Sequence, residues 1–122
     1  KVAVFCSLPT GCHNAQVFQG GVLFNDTASN VVRFVDRSGN AMAQKVMLYP
    51  EQALDYAGVD SSKVARQGFA RGLCVIDEES VAVGTSPSTI TLYDLSVGRR
   101  LTGVNLTMDI RNAIHGLEIW PF

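Results

Sequence analysis

His13, Arg71 and His115 each stand at the head of a short apolar run, in the contexts His13-Asn14, Arg71-Gly72 and His115-Gly116. Gln16 and Glu118 follow three residues after the two histidines. Neutral imidazoles bind divalent metals and exchange protons near neutral pH, and a guanidinium recognises anions. Brought together, these groups could hold an ion or act on an anionic ligand. The plainer use of the same side chains is to hydrogen-bond neighbouring backbone and hold elements together. Metal sites commonly take three or four protein ligands. One chain aligns only two histidines, so no metal is assigned. The candidate ligand-binding set is His13, Asn14, Gln16, Arg71, His115 and Glu118. No catalytic residue is assigned, and no cofactor is called for.

Other reactive residues are less suggestive. Cys12 adjoins His13, but neighbours in a strand point to opposite faces, so the pair makes a poor nucleophile and base. The cysteines number three, Cys6, Cys12 and Cys74. An odd count argues against a disulfide framework and for reduced thiols in a cytoplasmic setting. Asn25-Asp26-Thr27 and Asn105-Leu106-Thr107 fit the glycosylation sequon, which matters only in a secreted protein. Asp36 and Asp94 sit in turn contexts, and Asp77-Glu78-Glu79 reads as a solvated hairpin tip. Tyr49, Trp120 and Phe122 could stack a sugar, although single aromatics at strand ends more often anchor a core.

The elements that must position these residues are short strands. The 122 residues make at most one domain, 47% hydrophobic and 17% charged. That composition supports a core and excludes disorder. The net charge of −1 is carried by scattered residues, which excludes a phosphate-tracking nucleic-acid surface. No apolar run approaches membrane-spanning length. The chain opens on Lys1 with an apolar run too short for a secretory signal, so processing or membership of a longer chain is expected.

Apolar runs at 2–8, 17–18, 22–25, 31–35, 41–48, 73–76, 81–83, 89–93 and 100–108 are separated by turn residues. Thr89-Ile90-Thr91-Leu92-Tyr93 alternates with period two, as a half-buried strand does. One helix is predicted over 50–57, opened by Pro50 and closed by Gly58, with a second turn capped near Asp60.

These runs repeat. Leu23 overlays Ala82, Phe24 overlays Val83, Phe34 overlays Leu92 and Asp36 overlays Asp94, at offsets of 58 or 59 residues (82 − 23, 83 − 24, 92 − 34 and 94 − 36). His13 overlays Arg71, and 113–119 overlays 69–75. Four short antiparallel strands recurring every few tens of residues is the pattern of a propeller blade. Through Arg71-Gly72-Leu73-Cys74-Val75 and Thr91-Leu92-Tyr93-Asp94 with Gly98, the chain resembles the six-bladed and NHL-like β-propellers. The resemblance implies an all-β fold with blades at about 13–48 and 71–108 and a helical or loop insertion at 49–70. It implies an outer strand of another blade at 1–8 and an inner strand of a third at 115–122. Inner strands line the central channel, so His13, Arg71 and His115 would meet at its mouth.

Two blades cannot close a ring, so a homo-oligomer or the remainder of a longer propeller is expected as partner. The function expected is a ligand- or protein-binding module rather than an enzyme, with a small molecule at the channel mouth and no nucleic acid or membrane partner. Competing readings are a small-molecule hydrolase or lyase of the six-bladed type and a carbohydrate-binding oligomer. In the metal-bound lactonases of that type Asn, Asp and Glu hold the ion. Asn25-Asp26 offers a partial echo, but its overlay, Gly84-Thr85, carries no ligand.

Overall fold

The computed structural model describes residues 1–59 and 65–121. It is all-β. Strands β1 (His13–Phe18), β2 (Gly21–Asp26), β3 (Val31–Val35) and β4 (Ala41–Lys45) form one antiparallel meander. Strands β5 (Gly68–Val75), β6 (Ser80–Ser86), β7 (Thr89–Asp94) and β8 (Arg99–Asn105) form a second in the same order. In the first sheet the cross-strand row runs Gln16, Leu23, Phe34, Met42. In the second it runs Cys74, Ala82, Leu92, Thr102. The turns between third and fourth strands also agree. Asp36 accepts from the backbone of Ser38 and Asn40, Asp94 from that of Ser96 and Val97, and Gly39 and Gly98 take φ of 82° and 65°. Both are Asx turns followed by a glycine in the left-handed region, where a Cβ would be strained.

The sheets pack face to face, with β5 lying against β1 and β2. Phe18, Leu23 and Val32 from the first sheet meet Leu73, Val81, Val83 and Tyr93 from the second. Phe34 and Met42 close the rim. Each fully buried aliphatic side chain here contributes roughly 1.5–3 kcal/mol of transfer free energy. Because side chains alternate, the register leaves Cys74, Ala82, Ile90, Leu92 and Val104 on the far face of the second sheet. Val22, Phe24 and Val35 take the far face of the first.

Four expectations need correction. Residues 1–9 form no strand, and neither do 113–121, because a strand needs a neighbouring backbone to satisfy its ladder and neither segment gains one along its length. The helix expected over 50–57 is two single turns of 3-10 helix, Glu51–Ala53 and Ala57–Val59. Leu54 between them is extended and Tyr56 has φ of 62°. So short a segment lacks the length to sustain α-helix without an apolar face to dock. The cap expected near Asp60 lies outside the described residues. Finally, β5 begins at Gly68 rather than Arg71, so the insertion is shorter than 49–70. Gly68 pairs with Ser86 across an irregularity spanning Gly68 to Gly72.

Candidate functional site at the heads of β1 and β5

Three side chains of the first sheet, and Thr27 just after β2, donate to four consecutive carbonyls of β5. Thr27 Oγ1 reaches the Ala70 oxygen at 2.6 Å, and Asn14 Nδ2 reaches that of Arg71. Asn25 Nδ2 reaches Gly72 at 3.0 Å, and Gln16 Nε2 reaches Leu73 at 2.7 Å. β5 is the edge strand of its sheet and pairs irregularly between Gly68 and Gly72, and its buried carbonyls need partners. The side chains supply them. Asn14 has φ of 55°, a conformation asparagine tolerates better than most residues, and its amide also donates to the His115 carbonyl at 3.1 Å.

His13 is turned into this network rather than out of it. Its Nδ1 lies 2.8 Å from Thr27 Oγ1. The single Thr27 hydroxyl proton goes to Ala70, so Nδ1 must be the donor and Nε2 carries the lone pair in the neutral ring. Its site is therefore mechanical: it orients Thr27.

Arg71 and His115 do meet by side chain. Arg71 Nη1 lies 3.5 Å from His115 Nε2, and a guanidinium can only donate, so that nitrogen accepts. Arg71 also stacks on Phe69, with Cζ 4.4 Å from the ring centroid, and Arg66 lies 4.6 Å from the same ring. Phe69 itself has φ of 45°, a strained value for an aromatic residue, next to Gly68 at 86°. Asn30 fixes this corner: its Oδ1 accepts from Arg66 Nη1 and from the Phe69 amide. Its side chain also fills the space a Cβ on Gly68 would need. Arg71 Nε is buried with no partner.

Of the six expected site residues, the structure thus joins Asn14, Arg71 and His115 directly. His13 and Gln16 lie in the adjoining clamp. Glu118 is exposed in the C-terminal stretch. Among the described residues no three His, Cys, Asp or Glu side chains cluster as a metal site would need. Asp26 is a structural carboxylate: it is buried and accepts from Arg33 Nε at 2.8 Å. Burial pushes its pKa up, but hydrogen bonds from Arg33 and Ser29 and the Arg33 charge hold it below the ordinary value. Asn25 is fully buried, so that sequon offers no acceptor for a glycan. All three cysteines are free thiols. The Tyr49 hydroxyl is tied to Thr89 Oγ1 at 3.1 Å, which makes it an anchor rather than a sugar shelf. Phe122 lies outside the described residues.

Thr27, Asn25 and Phe69 escaped the sequence reading. Asn25-Asp26 at the end of an apolar strand was a usable signal, since polar side chains there must either turn the chain or satisfy buried backbone. A groove of about 500 Å³ between Val17, Phe18, Gln19 and Val75, Asp77, Glu78 lies at the opposite end of β1. It is wide open, and the Asp77 carboxylate is already committed to the Glu79 and Ser80 amides. The head of β5 therefore carries more chemistry than that groove.

No known protein family, curated protein or solved structure matches the chain. No helix among the described residues is long and apolar enough to cross a membrane.

Proposed function

We propose that the chain is a two-blade segment of a β-propeller, acting as a binding or scaffold module whose open faces stack on further sheets. One observation carries the reading. The face of the first sheet that packs on the second is the Gln16, Leu23, Phe34, Met42 row. The equivalent row of the second sheet, Cys74, Ala82, Leu92 and Thr102, points away from the first. Conversely, the second sheet offers Val81, Val83 and Tyr93 to the core, and the equivalents of the first two, Val22 and Phe24, lie on the far face of the first sheet. The two far faces are thus a pair of the kind already joined inside the chain, that of the second sheet being the more open, since Phe24 on the first is already buried. Such a pair associates head to tail, which generates rings when the rotation closes.

The open face of the second sheet supports this further. Ala82, Ile90, Leu92, Thr102, Gly103 and Val104 line a shallow groove of about 210 Å³, and Val104 is 53% exposed. Contiguous apolar surface of this kind is characteristic of interfaces. A second copy of the chain is the partner we assign to it. The ligand, on this reading, sits at the head of β5 beside Arg71 and His115.

Light scattering tests the assembly. The chain should run as a defined multiple of its monomer mass, and Leu92→Lys with Val104→Lys should yield folded monomers with an unchanged far-ultraviolet spectrum. A wild-type chain that stays monomeric at high concentration and binds no apolar dye would overturn the proposal.

A further inference from the structure

We propose that Arg71, held on the Phe69 ring, is the receptor for a carboxylate group, and that His115 occupies its place in the free protein. The inference deepens the reading above by naming the ligand class at the same site. Among the described residues no carboxylate lies within ion-pair distance of Arg71; the ion pairs formed are Arg33 with Asp26 and Arg111 with Asp109. Its charge is met by an aromatic face and by one neutral imidazole nitrogen at the outer limit of hydrogen-bond distance. Its Nε–H is buried with no acceptor. A guanidinium presents five donors in a planar fork that matches two carboxylate oxygens. A buried, unfilled donor on such a fork is unfinished chemistry.

Arg66 lies on the same ring, so the two guanidinium groups share one platform. The donors of Arg66 reach Asn30 Oδ1 and the Gln67 and Thr27 carbonyls, which fixes its position beside the ring. Asn14 ties the backbone of Arg71 to that of His115. A carboxylate arriving at Arg71 would displace the exposed His115 ring from Nη1 and supply acceptors to the fork. The strain at Phe69 is consistent with a platform held in place for that purpose.

The test is a titration of the intact chain with sodium acetate, followed by the backbone amide resonance of Gly116, which adjoins the His115 ring that acetate displaces and is present in every variant. Sodium chloride at equal ionic strength is the reference. The resonance should move and saturate in the millimolar range with acetate and not with chloride. Arg71→Gln should abolish saturation, and Arg71→Lys should weaken it at least about fivefold, because a point charge lacks the fork. His115→Ala, in the exposed stretch, should bind acetate at least as well as the wild type. If Arg71→Gln fails to fold, Phe69→Leu serves instead and should weaken binding. A linear shift shared with chloride would overturn the proposal. So would saturation that survives Arg71→Gln, or phosphate binding about tenfold tighter than acetate. Because acetate binding is read on the chain at any mass, its failure is distinct from a failure to assemble.

Discussion

Ile114 occupies the space that a side chain on Gly84 would need, with its Cβ 2.6 Å from where a Gly84 Cβ would stand. Its amide donates to the Thr85 carbonyl at 3.2 Å, and its carbonyl accepts from the Gly72 amide at 2.9 Å. The C-terminal stretch is therefore docked at the irregular join of β5 and β6, although it forms no strand.

That docking depends on glycine. Gly84→Ala should expel Ile114 and cost about 1–3 kcal/mol, as overpacking of a tight contact does. Chemical denaturation should show a lower midpoint. Amide exchange at Gly72 should rise with it, since its partner is the Ile114 carbonyl. A variant with wild-type stability and unchanged Gly72 protection would mean that the stretch is not seated there.

The side-chain clamp on β5 should be graded by burial. Asn25 is fully buried, and its Oδ1 has no partner even though Nδ2 is bonded to Gly72. Asn25→Ala leaves the Gly72 carbonyl stranded and should cost about 2–3 kcal/mol. Gln16, half-buried, lets water replace it on Leu73, so Gln16→Ala should cost about 1 kcal/mol. Urea unfolding of the two variants checks the order, and equal losses would contradict it.

How much of this was legible beforehand varies by residue. The period-two run Thr89 to Tyr93 became β7, and the overlay of Leu23 on Ala82 coincides with equivalent places in the two sheets. The start of β5 was not legible. Gly68 and Phe69 both take positive φ, and nothing in the local sequence announces that a phenylalanine will do so. The segment over 50–57 carries genuine helix-start signals, but signals at one end do not provide a docking face. Arg71 and His115 do lie together, but 113–121 forms no strand, so the strand position from which their meeting was expected is not what brings it about. The inward turn of His13 was not legible, because it depends on Thr27 and Ala70, which are distant in sequence and carry no motif.

Acid stability should depend on Asp26. Its pKa is lowered from 3.8 in the folded chain, with the upward push of burial outweighed by Arg33 and Ser29. A carboxylate with a depressed folded pKa contributes stability that is fully present above the unfolded value. That stability is lost as pH falls through the folded one. Stability should therefore drop below about pH 4. Asp36, Asp77 and Asp94, lowered chiefly by turn hydrogen bonds, act in the same window. The difference between wild type and Asp26→Asn isolates one group: it should be constant from pH 5 to 7 and shrink toward pH 2, within roughly the range set by these carboxylate values. A gap that widens on acidification would contradict the assignment.

The opposite limb belongs to Tyr93. Its ring lies in the main core, and its hydroxyl accepts from the Met47 amide at 2.7 Å, joining the second sheet to the segment after β4. Burial raises its pKa above 10.0, against smaller downward effects from the Met47 and Thr91 hydrogen bonds and the Arg100 charge. The unfolded chain then ionises first, so the stability contributed is present below the unfolded value and lost as pH rises through the folded one. Wild-type stability should begin to decline near pH 10. Tyr93→Phe leaves the Met47 amide without an acceptor and should cost about 1 kcal/mol at neutral pH. It should also remove this residue's share of the alkaline decline. Stability curves for the two proteins from pH 7 to 11 would then converge at the alkaline end, whereas parallel curves would show that Tyr93 ionises as freely folded as unfolded.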